Sequence, residues 1–123
     1  MNKNILIEEA DGSGTTLIVA PLFTYRAFAE GDVAAEWDAL VQRLQAPNVD
    51  KVIIDLSALP FFGSTVLEWM VKIWKQVKDK PGQCALCSVS PVGVQILQAA
   101  RLDKVWKVYA TRLEAVTALT GQP

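Results

Sequence analysis

The segment from Lys51 to Trp74, KVIIDLSALPFFGSTVLEWMVKIW, constrains this chain more than any other. It begins with a β-branched run, Val52, Ile53 and Ile54, of the kind that forms a strand covered on both faces. Pro60 and Gly63 interrupt that pattern. From Val66 onward the apolar residues take the helical period, with Val66, Met70, Ile73 and Val77 spaced four, three and four apart. The segment therefore reads as buried strand, tight turn and helix. Ser64 and Thr65 fall at the N-terminus of that helix, where backbone N–H groups and the helix dipole favour negative charge. A phosphoryl group added there would be held without unfolding the domain and would recharge an exposed surface.

The rest of the chain supplies alternating strands and helices around this unit. Ile5, Leu6 and Ile7 suggest a first strand, and Asp11 to Gly14 turns it into a second, Thr15 to Val19, as a hairpin. Pro21 to Gly31 is the longest irregular piece; its Leu22, Phe23, Tyr25 and Phe28 are expected to cap the core, with a binding surface as the alternative. Asp32 is a candidate N-cap for a helix through Ala46, whose Trp37, Leu40, Val41 and Leu44 make one apolar stripe, ended by Pro47-Asn48. Beyond the central unit, Lys80-Pro81-Gly82 turns into a strand from Gln83 to Ser88. Ser90 caps a helix that has Pro91 in its first position. A short strand follows from Val105 to Tyr109, and Thr111 with Glu114 opens a last helix to about Leu119 as a capping box. The pattern predicts a single α/β domain, core about 5–119, with a mixed sheet. Its core is expected to join Val52, Ile54, Val66, Met70, Ile73 and Ile96.

Composition narrows the function classes. A length of 123 residues with 51% hydrophobic and 20% charged residues suits one domain that buries a core without disulfides or metals. A net charge of −1, with Lys and Arg dispersed, gives no basic footprint for nucleic acid. No apolar run is long enough to cross a bilayer, and the opening MNKNILIEEADGSG lacks a signal-peptide core, so a cytoplasmic location is expected. The chain has no histidine, which removes Ser-His-Asp and Cys-His arrangements and imidazole metal ligands. No enzyme, metal or cofactor is expected.

At its central unit the sequence resembles the STAS domain of bacterial anti-sigma factor antagonists. That family carries a strand, then Asp-Ser-Ser-Gly-Leu-Gly, then a helix, and a partner kinase phosphorylates the second hydroxyl. The corresponding residues are Gly63, Ser64, Thr65, Val66, Leu67 and Glu68, so Thr65 stands at the phosphoacceptor position, with Gly63 in place of the acid and Val66 and Glu68 in place of the glycines. Downstream, CALCSVSPVGVQILQAARLDKVWKVYATRLEAV is similar to the family's strand, Ser-Pro-led helix, Leu-Asp turn, short strand and final helix. The likeness runs from about Ile5 to about Leu119. It implies a STAS-like sheet of four or five strands with about four helices packed mainly on one side. It also implies a non-enzymatic, protein-binding switch that holds an anti-sigma factor serine/threonine kinase when unmodified and releases it when phosphorylated at the Ser64-Thr65 turn. A second reading within the same fold is a STAS subunit of a lipid-transport ABC system, which uses a Thr in this turn to contact its ATPase.

Other residues enter by their placement. Thr65-Val66-Leu67-Glu68 also has the form of a capping box, in which Thr65 would hold the helix end. At about 100° per residue, Thr65, Glu68, Lys72 and Gln76 lie opposite the apolar stripe, with Trp69 at the border one turn after Thr65. Glu68, Trp69 and Lys72 are therefore candidate partner contacts, with Trp69 either the anchor or a half-buried boundary residue. Asp55, at the end of the central strand, either tunes Thr65 for the partner, helps position a metal bound to a partner's nucleotide, or accepts backbone hydrogen bonds in the following loop. Cys84 and Cys87 have the spacing of a redox or zinc half-motif, but on a strand residues three apart face opposite ways, so two buried thiols are expected. Gly12-Ser13-Gly14 has no Lys with which to build a phosphate loop.

Overall fold

The β-branched run at Val52 to Ile54 lies at the centre of a five-stranded sheet. The structure, a computed structural model, describes residues 5–10, 15–22, 34–78 and 84–121. Among these the elements are β1 (Ile5–Glu9), β2 (Thr16–Pro21), α1 (Ala34–Leu44), β3 (Lys51–Asp55), α2 (Ser64–Val77), β4 (Cys84–Cys87), α3 (Pro91–Ala99), β5 (Lys107–Tyr109) and α4 (Arg112–Thr120). The strands lie in chain order, β1-β2-β3-β4-β5. β1 runs antiparallel to β2, with Ile7 opposite Val19, and each later pair is parallel, with Ile54 between Val19 and Leu86. The sheet is mixed, as the alternation predicts.

Chain order of the strands decides where the helices go. Among the described residues each parallel step passes through one helix, and crossovers of this type are right-handed, so α1, α2 and α3 are sent to one face. There Leu40 and Leu44 of α1, Trp69, Met70, Ile73 and Val77 of α2, and Leu97 of α3 meet Leu17, Val19, Val52, Ile54 and Leu86 of the sheet. Val66 and Ile96 pack against the same cluster, so the expected core set does meet in one layer. α4 follows β5, the last strand among the described residues. It covers the opposite face, where Ala115 joins Ile18, Ile53 and Cys87, flanked by Val116 and Leu119.

Element ends follow local chemistry. α1 stops at Leu44, two residues short of the expected Ala46, because a residue before proline is disfavoured in helical geometry and Pro47 follows. Ser90 caps α3 by accepting from the Gly93 N–H at 2.9 Å, with Pro91 at the first position. Thr111 caps α4 by accepting from the Glu114 N–H at 3.1 Å, and Gly121 ends it in the left-handed conformation with φ 73°. β5 is shorter than expected: Val105 N–H donates to the Leu102 carbonyl in a turn, and Trp106 is buried before the strand begins. The Asp11–Gly14 turn, the Asp32 cap, the Lys80–Gly82 turn and the aromatics Phe23, Tyr25 and Phe28 lie outside the described residues.

Strand alternation places Cys84 against the three-helix layer and Cys87 in the α4 layer. Burial pushes the Cys84 thiol up to about 12 and the Cys87 thiol up to about 11. At pH 8 the thiolate fraction is then on the order of one part in a thousand or less, and the thiolate is the reactive form. Iodoacetamide is therefore expected to label the native chain very slowly and the denatured chain completely at both positions. Rapid labelling of the native chain, read by mass spectrometry, would contradict this placement.

Candidate functional site

The loop between β3 and α2 is fixed by polar ties at both ends. Asp55 Oδ1 accepts the Ser57 N–H at 2.9 Å, and Leu59 N–H closes a turn on the Leu56 carbonyl at 3.0 Å. The Ser90 hydroxyl donates to the Pro60 carbonyl at 2.5 Å, which joins the loop to the cap of α3. Phe62, 3% exposed, inserts beneath the loop against α3. A Cβ on Gly93 would stand 3.0 Å from the Phe62 ring and 2.7 Å from Val89 Cγ1, so only glycine lets helix and ring approach this closely. Phe61, the preceding residue, is 72% exposed.

This bracing delivers the hydroxyl pair to the start of α2. Gly63 is the N-cap, extended at φ −106°, with no side-chain cap hydrogen bond. The first intrahelical bond runs from the Leu67 N–H to the Gly63 carbonyl at 3.2 Å. Ser64 and Thr65 are thus the first two helical residues, and the amides of this turn lie outside the i→i−4 ladder. No acidic side chain occupies the first turn, so the positive end of the dipole is not offset there from within α2. The expected Thr65–Glu68 capping box does not form. A cap needs an extended residue just before the helix, and Thr65 is already inside it.

Ser64 is exposed and Thr65 half-buried. The outward stripe of α2 runs Ser64, Glu68, Lys72 and Lys75, all exposed and spaced four, four and three apart. Glu68 and Lys72 therefore share one surface with the hydroxyl turn, as the helical spacing predicts. Two other candidates do not. Trp69 is 2% exposed and packs against Trp37 of α1, with ring centroids 6.2 Å apart and an interplanar angle of 56°. The neighbouring helix widens the apolar face of α2 and takes in the indole, so Trp69 is a core residue and not a surface anchor.

Asp55 is likewise withdrawn from the surface, at 4% exposure on the α4 side of the sheet. Its Oδ2 pairs with Arg112 of α4, at 2.8 Å from Nη2 and 2.9 Å from Nε. Arg112 also reaches Glu8 of β1, with Nη1 2.7 Å from Oε2. Burial works to raise the Asp55 carboxyl, but the Ser57 amide and hydroxyl and the Arg112 guanidinium outweigh it and hold the group below its ordinary 3.8. Asp55 therefore acts from beneath: one oxygen fixes the loop and the other ties it to α4. Sequence reading caught the loop hydrogen bond. It missed Arg112, 57 positions away, for which no local pattern gives a signal.

Among the described residues, no group of three or more His, Cys, Asp and Glu side chains is placed to hold a metal ion, and no helix is long and apolar enough to cross a membrane.

The arrangement defines a class: small α/β domains with strands in chain order and a hydroxyl turn opening the helix after the central strand. The chain belongs to the STAS domain family, whose model matches residues 9–115. It is similar to an anti-sigma F factor antagonist of Paenibacillus polymyxa, 28% identical over 87 residues that make up 71% of this chain and 72% of that protein. Among solved structures it is similar to an anti-sigma-factor antagonist (STAS) domain protein from Planctomyces limnophilus, with 35% identity, a TM-score of 0.74, and coverage of 94% of this chain and 97% of that one. The anti-sigma factor antagonist SpoIIAA in its unphosphorylated form shares the fold at 17% identity, with a TM-score of 0.76 over 97% of this chain and 98% of its own. The Bacillus SpoIIAA in its phosphorylated form aligns at 19% identity with a TM-score of 0.62, over 93% and 97%.

Proposed function

We propose that this domain is a non-enzymatic regulator that binds an anti-sigma factor of the serine/threonine kinase type and is released from it by phosphorylation at the Ser64-Thr65 turn. The observation that carries the reading is the hydroxyl turn, Ser64 exposed and Thr65 half-buried, at an N-terminus of α2 that has no side-chain cap, continuous with the Glu68 and Lys72 surface. The likeness to relatives named as anti-sigma factor antagonists supports the partner class. The transfer itself would be the kinase's chemistry: the hydroxyl oxygen bonds to the γ-phosphorus of ATP, the bond to ADP breaks, and the hydroxyl proton passes to a base on the kinase. The added group carries nearly two negative charges. On a contact surface it weakens binding through desolvation and repulsion, while the helix dipole tolerates it within the fold.

By the resemblance Thr65 stands at the phosphoacceptor position, and Ser64 is the more exposed hydroxyl; both are tested. The purified anti-sigma factors of the host are titrated against the native chain and the variants Ser64→Ala, Thr65→Ala, Ser64→Glu and Thr65→Glu. The alanine variants are expected to bind nearly as the native chain does. Thr65→Ala should also leave stability within about 0.5 kcal/mol, because no cap is lost. A glutamate at the acceptor position is expected to weaken binding, and ATP with the kinase to place one phosphoryl group on the peptide holding Ser64 and Thr65. Equal binding by all four variants, with no modification, would overturn the switch. Binding to a permease-associated ATPase instead would assign the domain to the transporter role.

A further inference from the structure

Phe61 is the least protected large apolar side chain among the described residues, at 72% exposure, and it stands three positions before Ser64. One exposed phenylalanine is ordinary on a protein surface. The way this one is held is not. The loop that carries it is pinned by the Asp55–Ser57 and Ser90–Pro60 hydrogen bonds and by the burial of Phe62 against Gly93. A loop so braced has no freedom to fold the Phe61 ring back onto the core, where the next ring already sits. The same Ser90–Pro60 bond brings the first turn of α3 alongside, with Pro91 exposed and Val92 47% exposed. On the other side the exposed stripe of α2 begins at Ser64 and continues through the acidic Glu68 to Lys72 and Lys75.

We infer that Phe61 is the apolar anchor of the partner-docking surface, received by a recess on a protein of the anti-sigma class that carries carboxylates on the side facing Lys72 and Lys75. The inference rests on the function proposed above and adds the residue that supplies most of the affinity. A rigid, protruding aromatic beside a polar, charged rim has the anatomy of an interface hot spot. It loses little conformational entropy on binding, because the loop is already ordered. The partner's acidic border follows from charge complementarity with the two lysines. It also accounts for release: a phosphoryl group at Ser64 or Thr65 would bring a dianion to the edge of an apolar recess, one turn from the like charge of Glu68.

The test uses the anti-sigma factor that binds the native chain, titrated by calorimetry against Phe61→Ala, Phe61→Tyr and Lys72→Ala. Phe61→Ala is expected to weaken binding at least about 30-fold, mostly through faster dissociation, and Phe61→Tyr to restore it to within about threefold of native. Lys72→Ala is expected to cost less and to lower the salt dependence of association. The melting temperature of Phe61→Ala should match the native value, which separates lost docking from lost folding. If no anti-sigma factor binds the native chain, the proposed function and the anchor fall together. If one binds and Phe61→Ala binds equally well, the anchor alone is wrong. Sedimentation of the free chain supplies a further outcome: a native dimer that Phe61→Ala dissolves would assign the ring to a second copy and overturn the partner assignment.

Discussion

Phe62→Ala is expected to lower the unfolding free energy by about 3–5 kcal/mol, the range for removing a buried aromatic ring. The ring is buried between the β3–α2 loop and α3, and its loss opens a cavity that Gly93, having no side chain, does nothing to fill. Because Phe62 adjoins Gly63 and Ser64, the loss should not be confined to stability. Amide exchange in the loop and the first turn of α2 is expected to rise more than exchange in β3. Denaturant melts provide the first number and hydrogen exchange the second. A loss under about 1 kcal/mol would mean that the loop is not held by this ring.

The second large effect is expected at Arg112. Arg112→Met leaves the Asp55 carboxylate at 4% exposure without its cation, and breaking one side of a buried pair typically costs about 3–5 kcal/mol. Because Arg112 itself is partly solvated, the lower end of that range is expected. The pH dependence has a definite sign. In the native fold the Asp55 carboxyl lies below its ordinary 3.8, so its contribution is present above that value and is lost as pH falls through the lower folded value. In the variant the same carboxyl keeps the Ser57 hydrogen bonds but loses the lowering by Arg112, so it sits higher than in the native fold and acid relieves part of the cost. The stability gap between native and variant should therefore be widest near neutrality and close as pH falls through the carboxylate range. A gap independent of pH would show that Arg112 contributes by packing alone. Asp55→Asn with Arg112→Met should be milder than Arg112→Met alone, since the uncompensated charge is gone.

What could be read from sequence depended on the range of the interaction that fixes each feature. Val52 to Ile54 and the period of Met70, Ile73 and Val77 are local signals, and strand, helix and core face follow from them. The caps at Ser90 and Thr111 are local too, because each needs only a side chain and an amide three residues on. Thr65 misled because Glu68 stands three residues after it, the form of a capping box, whereas the backbone already begins the helix at Ser64 with Gly63 as the N-cap. Trp69 misled for another reason. A helical wheel shows one helix, while the burial of this indole is set by Trp37 on α1. The ties that hold the site, Arg112 to Asp55 and Phe62 to Gly93, join residues brought together only by the complete sheet.

The chain-order arrangement of the strands also governs assembly during synthesis. Each strand can pair as soon as it emerges, because its partner is the strand just before it. The hairpin, then β3, β4 and β5, can add in succession with the helices closing one side behind them. The opposite side has to wait for α4, the last described element to emerge. Until it docks, Ile18, Ile53 and Cys87 stay open to solvent and to other nascent chains, and Asp55 stays without Arg112. Docking of the last helix thus seals the second side and brings in the cation that completes the support of the loop in one event. A chain stalled short of that helix would carry its hydroxyl turn on an unsecured base and would offer chaperones and proteases an open apolar sheet.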